Sequence, residues 1–463
     1  MTDMLKLVSP VDGSIYVERP LATESEVDAA FTRAAKAQAA WKLVPLNERA
    51  TLLGKFVDAF VAMSDEVVPE LAWQMGRPIA YGAGEVSGFE ERARYMISIA
   101  EKALSPVRPD PIDGFDRYIK REPLGVIFTI AAWNFPYLIA VNSLVPALMA
   151  GNTVVLKHSG QTPLCAERMA EAFEKAGAPD SLFQILHMGH GLTEKAIQHP
   201  DCAYVAFTGS VGGGYAIQKA AVERFIGVGL ELGGKDPAYV RADADVAFTV
   251  ENLVDGAFFN SGQSCCGKER IYVAGEVYDS FVEQFVEMTK GYRLGDPLDT
   301  DTTIGPMVRT SAATYVRGQV KEAVRSGAKS LIPESHFANS KEHTPYLGPQ
   351  VLVDVDHSME LMTEETFGPA IGIMKVAGDN EAIRLMNDSR YGLTASIWTS
   401  DADAARHVGD QVETGTWFMN RCDYLDPALA WTGVKDTGRG ATLSMVGYEH
   451  LTRPKSYHLR VGS

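Results

Sequence analysis

The chain has 463 residues, 46% of them hydrophobic and 22% charged, and a formal net charge of −16. That length exceeds one ordinary core, so the composition describes a globular protein of two or three domains. The acidic balance argues against a nucleic-acid partner, which needs a basic face, and by itself says nothing about a cationic substrate.

Residues Met1–Ser9 carry a lysine and no apolar run, and no stretch has the length and apolarity of a membrane span. The five cysteines are Cys165, Cys202, Cys265, Cys266 and Cys422. An odd, scattered set is no disulfide framework, and no spacing suggests a metal site, so the expectation is a reduced, cytoplasmic protein.

The first hundred residues read as helices. Thr23 to Glu26 has the form of a capping box, followed by Val27, Phe31, Ala34, Ala37 and Trp41 at helical spacing. Asn47 is the expected cap of a second helix with Leu53, Phe56 and Phe60, and a third runs from about Ala83 to Ala103. Pro106, Pro109, Pro111 and Gly114 mark a boundary before an exposed strand over Arg117–Glu122. Strands and helices then alternate. Strands are expected at Val126–Ala131, Thr153–Leu156, Leu182–Leu186, Ala203–Phe207 and Phe225–Leu230, with helices at Leu138–Ala150 and Pro163–Ala176. This order predicts an α/β fold with a mostly parallel, nucleotide-binding sheet. A second α/β region follows, with strands near Ile271–Val273, Gln350–Val355 and Ile371–Val376. Helices are expected there over Val277–Thr289, Ser311–Ser326 and Asp379–Ser389.

Five segments carry candidate chemistry. Phe259-Asn260-Ser261-Gly262-Gln263-Ser264-Cys265-Cys266 places a cysteine after a glycine turn, either as a nucleophile or as a buried apolar residue. Leu230-Glu231-Leu232-Gly233-Gly234 ends an apolar strand with an acid, a general base if half-buried and a surface turn if not. In Ala132-Trp133-Asn134-Phe135-Pro136, the Asn134 amide is either an oxyanion donor or a turn former. Phe207-Thr208-Gly209-Ser210, with Gly214 five residues past Gly209, suits pyrophosphate at a helix N-terminus, though GxGxxG is absent. Lys157 is a ribose candidate or a solvated lysine. In Glu364-Glu365-Thr366-Phe367-Gly368-Pro369, a carboxylate is placed for a second ribose or is simply exposed.

In this order and spacing the segments resemble the aldehyde dehydrogenase superfamily over nearly the whole chain, in its NAD(P)-dependent, hydrolytic branch. The resemblance implies a Rossmann-type coenzyme domain, an α/β catalytic domain and a small β oligomerisation arm. It assigns Cys265 as nucleophile, Glu231 as general base, and Asn134 with the Cys265 amide as oxyanion hole. Trp133, Lys157, Ser159, Gly160, Gly209, Ser210, Gly214, Glu365 and Phe367 are implied to bind NAD or NADP. The implied reaction is oxidation of an aldehyde to its acid through a cysteine thiohemiacetal and thioester. Glu231 argues against the coenzyme A-acylating branch, and the retention of Cys265, Glu231 and Asn134 argues against an inactive structural homologue.

Three positions depart from the family pattern. His158 stands where proline usually follows the ribose lysine, and Gly160 stands where NAD-preferring members have glutamate. Ala430-Trp431-Thr432-Gly433 replaces the usual Pro-Phe-Gly-Gly. By family position the tunnel is lined by Tyr137, Leu138, Val141, Asn142, Phe258, Phe259, Ser264, Cys266 and Leu425, with Ser87 and Gly88 at a wide mouth. That mostly apolar set points to a medium-sized apolar or aromatic aldehyde. A semialdehyde is the alternative if Arg421 points inward, and an aminoaldehyde if Asp423 or Asp426 does. The expected division is a coenzyme domain over 1–104 and 124–233, a catalytic domain over 234–447, and an arm over 105–123 and 448–463. The arm's edge strands call for a partner copy, as a homodimer or homotetramer, with no nucleic acid or membrane involved.

Overall fold

The computed structural model describes residues 3–462. The chain opens with a hairpin, Met4–Val8 against Ile15–Pro20, which replaces helix as the reading of the first twenty residues. Leu7 and Val17, paired in register, are the buried positions of this otherwise exposed ribbon.

Four helices follow, Glu24–Trp41, Leu46–Val61, Ser64–Met75 and Ile79–Leu104. The capping box forms in full. Thr23 Oγ1 accepts from the Glu26 amide at 3.3 Å, and Glu26 Oε2 accepts from the Thr23 amide at 2.7 Å. Asn47 is not a cap, because the second helix begins at Leu46 behind Pro45. The Ser64–Met75 helix was not anticipated. Its Pro69, sixth of twelve residues, reads as a breaker, and the helix runs through it at the loss of one backbone hydrogen bond.

Two sheets form the body. The first has six strands in the order Gly438–Arg439, Gly227–Glu231, Cys202–Thr208, Val126–Ala131, Thr153–His158 and Phe183–Ile185. All are parallel except the Gly438–Arg439 edge, which returns from far along the chain to pair with Leu230 and Glu231. Val126–Ala131 is buried at every position, as a central strand covered by helices on both faces must be. The second sheet has seven strands in the order Lys329–Ser330, Gln350–Val353, Ala370–Val376, Lys268–Ala274, Asp236–Val240, Thr394–Trp398 and Thr416–Met419. Only Lys329–Ser330 is antiparallel.

A two-stranded ribbon, Phe115–Pro123 with Thr452–Arg460, pairs through nine registers, with Tyr118 and Tyr457 stacked at 4.6 Å. No described helix is long and apolar enough to cross a membrane.

Candidate active site

Strand Gly227–Glu231 delivers Glu231 to the carboxyl end of the first sheet, where open α/β sheets hold their ligands. Its Oε1 accepts from the Thr442 hydroxyl at 2.5 Å and its Oε2 from the Thr208 hydroxyl at 3.1 Å. Burial pushes the Glu231 carboxyl above the usual range, and the two hydroxyls act against that rise.

Cys265 follows a strained turn. Asn260, Ser261 and Gly262 take φ of 55°, 57° and 69° in succession, a left-handed run that only its surroundings make tenable. Asn260 Nδ2 donates to the carbonyls of Asn134 at 3.1 Å and Gln263 at 3.2 Å. Ser261 Oγ donates to the Gly305 carbonyl at 2.8 Å, and Gln263 Oε1 accepts from the Val308 amide at 2.8 Å. Gly234 passes so close that a Cβ there would lie 2.6 Å from the Cys265 carbonyl oxygen. The adjacent Cys266 thiol, then burial, then the Asp236 and Glu231 carboxylates hold the Cys265 thiol well above its ordinary range.

Asn134 sits at the entry to helix Pro136–Ala150 and is buried, its amide donating to the Gln263 carbonyl at 3.3 Å. Beneath it lies a buried Arg77–Glu85 ion pair. Glu85 Oε1 accepts from the amides of Tyr137 and Leu138 at 2.9 and 3.1 Å, satisfying free N–H groups at that helix's N-terminus. Arg77 donates to the Asn134 carbonyl and, at 3.3 Å, to Asn260 Oδ1. One guanidinium thus fixes both the oxyanion-hole candidate and the turn leading to the nucleophile.

A cavity of about 260 Å³ reaches Cys265 and Glu231. Leu138, Asn142, Phe259, Ser264, Cys266 and Leu425 line it. Tyr137 and Val141 do not, and this corrects their placement in the tunnel. Both are core residues, and the Tyr137 ring packs on Phe60 at 4.8 Å. Phe258 is likewise core, against Phe285. Gly88 packs on Leu138, where a Cβ would come within 2.9 Å of Cδ2, and Ser87 is exposed.

Arg92, Asp255, Asp423 and Trp431 also line the cavity. Of these Asp423 and Trp431 stand out in the sequence, and Arg92 and Asp255 do not. Arg92 is 9% exposed, pairs with no carboxylate among the described residues, and donates through Nη1 to the Leu138 carbonyl at 3.0 Å and Asn142 Oδ1 at 3.3 Å. Burial pushes the Asp423 carboxyl up to about 6, helped by the charge of Asp255. Arg421 does not line the cavity, and its guanidinium stacks on Tyr424 at 3.7 Å. Asp426 is exposed.

A second groove is lined by Trp133, Ser210, Gly212, Gln263, Glu365 and Phe367 among others. It suits a dinucleotide. Ser210 caps helix Val211–Ala220 by accepting from the Gly213 amide, and that N-terminus presents Gly212 and Gly213. Gly214 lets the helix close on the sheet, since a Cβ there would meet Leu232 at 2.7 Å. At Gly209 a Cβ would meet the Phe207 ring at 2.6 Å. Trp133 and Phe367 meet edge to face at 5.6 Å. Glu365 accepts from the Gly234 amide at 3.1 Å, and burial pushes its carboxyl up to about 8. Lys157, one residue from the end of strand Thr153–His158, is half-buried, and burial lowers its ammonium. Ser159 Oγ accepts from the Gln161 amide, and Gly160 faces Leu5 of the N-terminal hairpin, 3.2 Å from where its Cβ would stand.

A parallel sheet with an acid at its carboxyl end, a cysteine on a strained turn facing that acid's cavity, and a dinucleotide groove beside them define an oxidoreductase. The model of the Aldehyde dehydrogenase family matches residues 2–457, and the chain belongs to that family, whose members use NAD or NADP. It is 32% identical over 451 residues to the succinate-semialdehyde dehydrogenase (NADP(+)) 1 of Mycobacterium tuberculosis (strain ATCC 25618 / H37Rv), covering 97% of this chain and 98% of that one. The NADP-dependent glyceraldehyde-3-phosphate dehydrogenase of Bacillus halodurans C-125, solved with NADP, superposes with a TM-score of 0.93 at 32% identity, over 99% and 96% of the two chains. The structure of PnpE with nicotinamide adenine dinucleotide gives 0.94 at 29% identity, over 100% and 95%.

Proposed function

We propose that the protein oxidises an aldehyde bearing a distal carboxylate, a semialdehyde, to the corresponding diacid, by thioester formation on Cys265 and hydrolysis. Arg92 carries this reading. A buried guanidinium with no carboxylate partner is costly unless a ligand supplies one, and Arg92 faces the cavity that reaches Cys265. The relatives named for semialdehydes support the same choice. Leu138, Ile139, Phe259 and Leu425 would enclose the intervening methylenes.

In this reading the Cys265 thiolate adds to the aldehyde carbon, and the Asn134 amide and the Cys265 N–H hold the oxyanion. Trp133 and Phe367 would hold the nicotinamide end of the coenzyme, which when bound would supply the hydride acceptor that turns the Cys265 adduct into a thioester. Glu231 then takes a proton from water, whose oxygen attacks the thioester carbon, and the Cys265 thiol leaves as the acid forms. Coenzyme choice includes NADP⁺, because Gly160 places no carboxylate to repel a 2′-phosphate. The three-part domain division and the homo-oligomer formed through the Phe115–Pro123 and Thr452–Arg460 ribbon belong to the same proposal.

A second reading rests on Asp255 and Asp423, whose carboxylates line the cavity and favour an aminoaldehyde. The test is a kcat/KM series with NADP⁺ over succinic semialdehyde, 4-aminobutanal, hexanal and benzaldehyde. Succinic semialdehyde should lead by tenfold or more (about 1.4 kcal/mol), Arg92→Met should erase that lead, and Cys265→Ala should be inactive toward all four. A lead for hexanal or benzaldehyde restores the apolar substrate, and a lead for 4-aminobutanal the aminoaldehyde.

A further inference from the structure

The coenzyme turn holds a residue where none should rest easily. Phe367 has φ of 47°, the left-handed region that disfavours any residue with a Cβ. A bulky ring stays in such a conformation only when its surroundings over-determine it. One carboxylate does this. Glu269 Oε1 accepts from the Phe367 amide at 2.8 Å, and Oε2 accepts from the Thr366 amide at 2.8 Å and from Lys235 Nζ at 2.6 Å. Lys235 also donates to the Thr366 hydroxyl at 2.8 Å. Lys235 is 1% exposed and Glu269 is 4% exposed. The ion pair is sealed from water, and the lysine neutralises the charge that the two amides alone would not.

The placement of these groups matters as much as their bonds. Glu269 lies four residues after Cys265, at the start of strand Lys268–Ala274. Lys235 lies four residues after Glu231 and immediately precedes strand Asp236–Val240, which pairs with Lys268–Ala274. The chain segments carrying the nucleophile and the base therefore meet in one buried ion pair, and that pair grips the turn carrying Glu365 and Phe367.

We infer that Glu269, neutralised by Lys235, is a positioning residue that holds the Glu365–Phe367 turn in register with Cys265 and so sets where the coenzyme's nicotinamide end lies relative to the nucleophile. Glu269 touches neither coenzyme nor substrate, and its effect passes through two backbone amides. This inference rests on the proposed role of Glu365 and Phe367 in holding the coenzyme.

The test is coenzyme binding in the intact protein, read as quenching of tryptophan fluorescence by NADP⁺ and NAD⁺, beside the rate of Cys265 alkylation by iodoacetamide. Glu269→Asp keeps the charge opposite Lys235 but withdraws the carboxylate by one methylene, out of reach of both amides. Lys235→Met with Glu269→Gln removes the ion pair without stranding a charge. The expected result is a coenzyme Kd at least tenfold higher in each variant, with KM for the coenzyme rising in step and the alkylation rate without coenzyme within twofold of the parent. A Kd within twofold of the parent in either folded variant would overturn the inference. Phe367→Ala separates the failures. If it weakens binding while the Glu269 variants do not, the positioning role is wrong; if it too has no effect, the coenzyme turn itself is misassigned.

Discussion

Thr442 donates its hydroxyl proton to Oε1 of Glu231 over 2.5 Å, across 211 residues of sequence. Thr442 reaches that point because Trp431 pairs with it through two backbone hydrogen bonds of 2.9 Å, a bridge that joins the cavity wall to the general-base candidate. The unusual Ala430-Trp431-Thr432-Gly433 segment thus lines the cavity through Trp431 and reaches the base candidate only by way of Thr442.

That contact predicts a pH effect. Burial raises the Glu231 carboxyl, and the Thr442 hydroxyl is the largest group opposing the rise, because it donates to the ionised form. Thr442→Val removes the donor at nearly constant volume. The Glu231 proton is then held more tightly, so the acid limb of steady-state turnover should move to higher pH, by roughly half a unit to one unit for one lost hydrogen bond. The burst of reduced coenzyme should stay intact, because it precedes hydrolysis. An acid limb that stays in place, or moves down, would remove Thr442 from the control of Glu231.

Arg77 offers a test of stability and activity together. Its guanidinium is buried against Glu85 and also holds the Asn134 carbonyl and Asn260 Oδ1. Arg77→Met strands the Glu85 carboxylate in the interior, and breaking such a pair costs about 3–5 kcal/mol. Urea unfolding should show a loss of that order, partly recovered when Glu85→Gln is added. Turnover should stay depressed in the double variant, because the Asn134 carbonyl and the Asn260 side chain have still lost their anchor. Full recovery of kcat in the double variant would make Arg77 a stability group only.

Parts of this site were open to reading in the sequence, and parts were not, for identifiable reasons. Glu231 and Asn134 follow apolar strands, and the glycines beside Cys265 mark a turn, so local pattern points to them. Tyr137 and Val141 are expected in the tunnel by family position, and local pattern offers no check, because helix Pro136–Ala150 is buried on nearly every side and has no polar face to show which residues meet a cavity. Arg92 sits among Phe89, Ala93 and Met96 on the buried face of its helix, where an isolated arginine reads as a surface group. The opening hairpin buries only Leu7 and Val17 of its strand residues, too little alternation to declare a strand. Asn260 and Ser261 show nothing of their left-handed backbone, since the groups that hold them, Arg77 and the Gly305 carbonyl, come from distant segments.

Glu365 should make coenzyme binding depend on pH. Burial first, and then the charge of Glu269, push its carboxyl up to about 8, so without coenzyme it holds a proton at neutral pH. Ribose hydroxyls donate to a carboxylate better than to a carboxylic acid, so the bound state prefers the ionised form. Binding near neutrality must then expel a proton, and affinity rises with pH until Glu365 is already ionised. The Kd for NAD⁺ should fall between pH 6.5 and 8, by at most about tenfold per unit, and level off above that. NAD⁺ is the better probe, since the 2′-phosphate of NADP⁺ titrates in the same range. Folding obeys the same sign. A carboxyl raised in the folded state opposes ionisation, so its penalty is absent below the unfolded value near 4.5 and grows as pH climbs toward 8. Glu365→Gln should therefore bind NAD⁺ more weakly with a flat pH profile, while the coenzyme-free variant resists urea better than the parent at pH 8 and not at pH 5. A Kd for NAD⁺ that rises with pH, or a Glu365→Gln profile as steep as the parent's, would show that some other group titrates.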